Sequence, residues 1–161
     1  RVAWYKVYRP LAYYAAYFAI RASAFSYEIM CRGANVLKQN FERLESIETL
    51  SPKEEDTIKD MRIVEEMYAR GFEFMPIDIY RADARHFQVI DGKIMPSLSS
   101  IDGLGEKAAD SLAEAAAQGK FLSKDDIRGR GKVPRTVVDK MQELGLLEGL
   151  PESNQLSLFD L

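Results

Sequence analysis

Ser97 to Ala117 reads SLSSIDGLGEKAADSLAEAAA, and the way this stretch turns back on itself decides how the rest of the chain is organised. Ile101, Leu104, Ala108, Leu112 and Ala116 form an apolar stripe at helical spacing, interrupted by Gly103-Leu104-Gly105. The spacing predicts a helix from about Glu106 to near Gly119, entered through a tight glycine turn. Glycines at both turn positions permit positive φ and remove Cβ atoms, so backbone N–H groups at the helix start can approach an anion closely. Lys107 adds a positive charge there. A glycine turn joining two helices with no ligand is an equally good reading of these residues alone.

A second unit follows it. Leu122 to Ile127, LSKDDI, has the form of a capping box (Ser123 with Asp126) and a hydrophobic staple (Leu122 with Ile127). Gly129-Arg130-Gly131-Lys132-Val133 then leads into a helix opened by Pro134 and closed at Gly145, with Val137, Val138, Met141 and Leu144 on its buried face. This second turn repeats the two-glycine spacing, with Arg130 where the first turn has Leu104, and reads as a degenerate copy. Arg128, Arg130, Lys132 and Arg135 concentrate positive charge there with no acid between them. The pair looks like a tandem helix-hairpin-helix, an element that holds the DNA backbone without regard to sequence. Its expected contacts are Gly103, Gly105, Lys107, Arg128, Arg130, Lys132 and Arg135. About four to six neutralised phosphates would make the binding weak and salt-sensitive.

Upstream, residues 1 to 27 interleave aromatic rings with four basic residues (Arg1, Lys6, Arg9, Arg21) and no acid. Such a mixture can stack and pair with nucleic acid, although most of the rings are expected to be core. Pro10 suits the first turn of a helix whose buried face is Leu11, Tyr14, Ala15 and Phe18. A helical run is expected from about Glu28 to Leu44. Ser51, Pro52 and Glu54 then open another helix, which Gly71 ends. FEFMPIDIY, residues 72 to 80, reads as extended, and Asp91-Gly92 between apolar runs is a hairpin signal.

Composition sets outer bounds. The chain has 161 residues, 47% hydrophobic and 29% charged, with a net charge of -3. That is globular composition without a global basic field, so any nucleic-acid contact is local. A single Cys31 and a single His86 exclude a disulfide framework and a Cys/His metal site, and favour a cytoplasmic location. Leu11 to Ile20 is apolar but half the roughly 20 residues a membrane helix needs. Asp125 and Asp126 point about 100° apart on a helix and suit its N-terminal dipole rather than a metal. No catalytic set, metal site, small-molecule ligand or membrane contact is expected. A start at Arg1, directly into aromatic residues, suggests a piece of a longer chain.

Residues 155 to 159 read QLSLF. This matches the form of a bacterial sliding-clamp-binding peptide, in which Leu158 and Phe159 fill an apolar pocket and Gln155 makes polar contacts, with Leu156 and Ser157 between them. Asp160 and Leu161 extend past that form. The chain as a whole resembles the C-terminal part of the PolC-type DNA polymerase III α family. The resemblance rests on VAWYKVYRPLAYYAAYFAIRA (2 to 22), RGFEFMPIDIYRADARHF (70 to 87), SIDGLGEKAADSL (100 to 112) and NQLSLF (154 to 159). It implies a mainly α chain with a small β-hairpin: a helical end of a fingers-like region (1 to 70), a connector (71 to 96), a tandem helix-hairpin-helix duplex-binding domain (97 to 150) and a clamp-binding tail (151 to 161). It also implies a parent polymerase using Mg2+ held by palm aspartates upstream, with duplex DNA and the sliding clamp as partners. The alternative is a helix-hairpin-helix module of a repair nuclease or helicase.

Overall fold

A short first helix, α1 (Val2–Tyr8), buries none of its residues. Pro10, whose missing N–H falls where no intrahelical bond would form, opens α2 (Pro10–Ile20), and Tyr14, Ala15 and Phe18 make its buried face as expected. Trp4, Tyr5 and Tyr8 on α1 remain about half or more exposed, so the N-terminal rings divide into a core set and a surface set. Arg70 ties this end down by donating to the Tyr14 hydroxyl and the Lys6 carbonyl, both at 3.0 Å. The computed structural model describes residues 1 to 153.

The run expected from Glu28 to Leu44 is two helices, α3 (Tyr27–Met30) and α4 (Ala34–Glu45). They are separated by Gly33 at φ +100°, a conformation glycine adopts without strain. The break comes just after α3 has sent Tyr27 into one core and Met30, three residues on, into the other. Ser51 caps α5 (Pro52–Ala69) with the complete capping box read from SPKEE, and Gly71 ends it at φ +84°. Met61, Val64 and Met67 are wholly buried along α5, each contributing about 1.5 to 3 kcal/mol by removal from water.

The hairpin forms where Asp-Gly placed it. β1 (Gln88–Ile90) pairs antiparallel with β2 (Lys93–Met95), and Asp91 and Gly92 both take positive φ, 50° and 76°. Phe74 bridges to Ile94, so the FEF segment lies beside β2 without forming a strand of its own. A 3-10 turn (Leu98–Ser100) precedes α6 (Glu106–Ala117), α7 (Lys124–Gly131) and α8 (Arg135–Glu143).

Two apolar cores organise these elements. Tyr14, Phe18, Leu37, Met61, Phe74 and Ile94 belong to the first; Ile77, Leu98, Ile101, Leu112, Ile127 and Met141 belong to the second. The cores do not divide at residues 70 and 96. The connector feeds both, with Phe74 and Ile94 in one and Ile77 and Ile79 in the other. Among the described residues no helix is long and apolar enough to cross a membrane.

Candidate nucleic-acid interface

The first glycine turn forms between a 3-10 turn and α6 rather than between two α-helices. The Ile101 N–H donates to the Leu98 carbonyl and the Leu104 N–H to the Ile101 carbonyl, which closes the turn. Ile101 and Leu104 point into the second core, while Gly103, Gly105, Glu106 and Lys107 are exposed. Only Gly103 requires a left-handed backbone, at φ +84°. Gly105 sits at an ordinary extended φ of -68° as the N-cap of α6, and a Cβ there would meet no protein atom within 4 Å. Its exposed backbone N–H region is therefore open to solvent.

The second turn differs from the sequence reading. Gly129, Arg130 and Gly131 lie inside α7, and the left-handed residue that ends the helix is Lys132, at φ 53°. The two-glycine spacing is therefore not a second glycine turn. Gly131 serves a different purpose: a Cβ added there would lie 3.1 Å from Leu112 Cδ1, so its absence lets α7 press against α6. The staple expected between Leu122 and Ile127 is also not formed, because Leu122 is 68% exposed. Ser123 does accept from the Asp126 N–H at 3.1 Å, but the Asp126 carboxylate takes the Leu122 N–H at 3.0 Å instead of closing the box on Ser123. That N–H, with help from Arg130, holds the Asp126 carboxyl below the usual carboxylate range.

The basic residues are not equivalent. Arg130 turns back onto the end of α6, donating to the carbonyls of Ala115 (2.9 Å), Gly119 (3.2 Å) and Lys120 (3.3 Å) and to the Asp126 carboxylate at 3.1 Å. Its guanidinium also lies 4.9 Å from the centre of the Phe121 ring. Arg128 pairs with Asp125 one turn away. Lys107, Lys132 and Arg135 are exposed and make no ion pair among the described residues. A Cβ at Gly103 would come 3.5 Å from Val137 in the first turn of α8, so the starts of α6 and α8 lie side by side. Gly103, Gly105 and Lys107 are thereby brought beside the α8 start that carries Arg135 and follows Lys132.

Residues that sequence reasoning did not single out brace this edge. Asp102, next to Gly103, accepts from the Ser26 hydroxyl at 2.8 Å and from the Glu28 N–H at 3.4 Å. Lys140 on α8 reaches the Glu28 carboxylate at 3.0 Å, and that carboxylate raises the Lys140 ammonium above its ordinary value. A cleft of about 480 Å3 opens at this junction, lined by Ser26, Glu28, Arg32, Arg43, Asp102 and Lys140. These partners are 74 to 112 residues apart in the chain, and no local pattern announces such pairs. Arg85 adds another brace, binding Asp110 on α6 through two nitrogens at 2.6 and 3.2 Å.

Among the described residues no group of three His, Cys, Asp or Glu side chains is placed to hold a metal ion. His86 is exposed and, among the described residues, pairs with Asp83 at 3.0 Å. The expected clamp-binding residues Gln155, Leu156, Ser157, Leu158 and Phe159 lie outside the described residues.

Comparison with known proteins agrees with this layout. A family model described as the helix-hairpin-helix motif matches residues 71–156. PolC-type DNA polymerase III of Clostridium perfringens (strain 13) is 42% identical over 160 residues, covering 99% of this chain and 11% of that protein. The protein of the same description from Streptococcus pneumoniae (strain D39) is 42% identical over 163 residues, and that from Caldanaerobacter subterraneus subsp. tengcongensis is 40% identical over 160, with the same two coverages. The chain thus spans about a tenth of the length of the relatives it matches. On the family model that covers its connector and glycine turn, and on likeness that runs through 99% of its residues, the chain belongs to the helix-hairpin-helix family and corresponds to one segment of PolC-type DNA polymerase III.

Proposed function

We propose that this chain grips the backbone of duplex DNA, without reading its sequence, as part of a PolC-type replicative polymerase, and that its tail tethers that polymerase to the sliding clamp. The observation that carries the first half is the juxtaposition of the α6 and α8 starts, with Gly103, Gly105 and Lys107 beside Lys132 and Arg135. Exposed N–H groups without an intervening Cβ suit phosphate oxygens, and the three cations supply charge. Arg128 and Arg130 are already engaged with Asp125, Asp126 and main-chain carbonyls. The contacts therefore fall to about three to five phosphates, and log affinity should decline against log salt with a slope of roughly -2.7 to -4.5. Fluorescence anisotropy with a short labelled duplex at several salt concentrations tests this; absent or salt-independent binding refutes it. Preference for branched DNA over plain duplex would favour a nuclease or helicase module instead.

The clamp reading rests on QLSLF and on the anchored segment that precedes it in the chain. The Pro151 and Glu152 carbonyls accept from the Lys124 and Asp125 N–H groups at 2.9 and 3.1 Å, and the Glu152 carboxylate pairs with Lys124 at 2.8 Å. The motif begins three residues later. Burying three apolar side chains yields about 5 to 9 kcal/mol gross, while ordering five residues costs about 5 to 10. The peptide alone is therefore a weak binder, and a clamp on the same DNA compensates with an effective concentration of order millimolar. Calorimetry of the chain with a bacterial clamp should show binding that Leu158→Ala with Phe159→Ala abolishes while duplex affinity is kept. Retained clamp binding refutes the assignment. Nucleotide addition with Mg2+ belongs, on this reading, to upstream parts of the parent polymerase, which acts in the cytoplasm.

A further inference from the structure

We infer that Asp102 is a positioning residue for the duplex-gripping edge, acting through Ser26 rather than on DNA. The inference rests on the duplex-binding reading above. Asp102 is the residue immediately before Gly103, where a carboxylate facing phosphate would repel it. Its Oδ2 is turned instead toward α3, where the Ser26 hydroxyl donates to it at 2.8 Å and the Glu28 N–H at 3.4 Å. Ser26 is itself only 7% exposed and caps α3 by accepting from the Ile29 N–H. One oxygen therefore fastens the glycine turn to α3, and Lys140 fastens α8 to the same helix through Glu28 at 3.0 Å. The starts of α6 and α8 are held against one common support, and their relative placement sets whether both meet phosphates of one duplex at once. A turn of glycines has little stiffness of its own, so an outside brace determines where its N–H groups point.

The proposal predicts a sign. If Asp102 mattered only as a charge near DNA, Asp102→Ala would remove a repulsion and tighten binding. As a positioning residue its loss should weaken duplex binding about five- to tenfold, part of what one hydrogen bond to a charged group contributes. Ser26→Ala cuts the same bond from its other end without altering charge. It should weaken binding in the same direction, and the double variant should be no weaker than Asp102→Ala alone. Leu44→Ala, in the first core and away from the turn, destabilises the fold by a cavity and should leave affinity unchanged. The 161-residue chain and its variants would be titrated by anisotropy with a labelled blunt duplex of arbitrary sequence, at a temperature below every melting transition. Unchanged or tighter binding by Asp102→Ala, additive loss in the double variant, or an equal loss in Leu44→Ala overturns the positioning role. Failure of the unaltered chain to bind duplex overturns the duplex reading itself, and the positioning role with it.

Discussion

Replacing Arg130 by alanine separates the role the sequence suggests for it from the one the structure gives it. The guanidinium satisfies the carbonyls of Ala115, Gly119 and Lys120, at and just beyond the end of α6, at 2.9 to 3.3 Å, and covers the Phe121 ring. Each hydrogen bond to a charged group is worth about 1.5 to 3 kcal/mol where water is excluded. The Arg130 side chain is 33% exposed, so water can replace some of these bonds and the values do not add. Stacking on Phe121 contributes about 0.5 to 1 kcal/mol more. A loss of roughly 2 to 4 kcal/mol is expected for Arg130→Ala. Arg130→Lys should lose about half of that, because one ammonium cannot span three carbonyls. Urea denaturation followed by circular dichroism measures it, with Arg128→Ala as the comparison; its exposed pair with Asp125 should matter by less than about 1 kcal/mol. Below its melting transition the Arg130→Ala protein should bind duplex with an unchanged salt slope. An Arg130→Ala protein of normal stability, with duplex affinity lost and the salt slope reduced by about one, would refute the reasoning and return Arg130 to the DNA.

Gly105→Ala should leave stability within about 0.5 kcal/mol, since its Cβ meets no protein atom, but weaken duplex binding by standing between N–H and phosphate; equal affinity would exclude close backbone approach at that residue. Gly103→Val forces a β-branched residue to φ +84° and should cost about 1 to 3 kcal/mol in the same denaturation assay. Lys107→Ala and Arg135→Ala should each flatten the salt slope by about one unit, and an unchanged slope removes that residue from the interface. In acid, Glu66, lowered chiefly by Lys6, Asp83, lowered chiefly by the Arg85 N–H, and Asp126 all have folded pKa values below their unfolded ones. Their contribution is present above the unfolded value near 4 and disappears as pH falls through the folded values. Asp60, raised by burial, acts in the opposite sense. Denaturation midpoints should stay level from about pH 7 to 5 and fall below that, with a shallower fall in Glu66→Gln; an equal fall refutes the Lys6 pairing as a source of stability.

What the sequence made legible was local. Pro10, the Ser51 capping box, Asp91-Gly92 and Gly103 each constrain a few consecutive backbone angles, and each element formed where those residues placed it. The second turn misled because GRG resembles a glycine turn in spacing alone. Whether a glycine bends the chain or admits a neighbouring helix depends on Leu112, nineteen positions earlier, and no pattern in residues 129 to 133 contains that information. Four basic residues in a row of eight likewise read as one patch. Two of them are occupied by Asp125, Asp126 and the end of α6, and only packing shows which. The break at Gly33 was visible as a glycine, but that Tyr27 and Met30 on the short helix before it serve different cores is tertiary.

Helix α3 is only four residues long, yet it carries Tyr27 into one core and Met30 into the other, and the Tyr68 hydroxyl clasps its end at the Met30 carbonyl. The halves of the protein are joined by a rivet as well as by their covalent connector. Ser26 and Glu28 join the glycine turn and α8 to that rivet, and Tyr68 joins the rivet to the long helix α5. Three side-chain bonds thus couple the glycine edge to the first core through one four-residue helix.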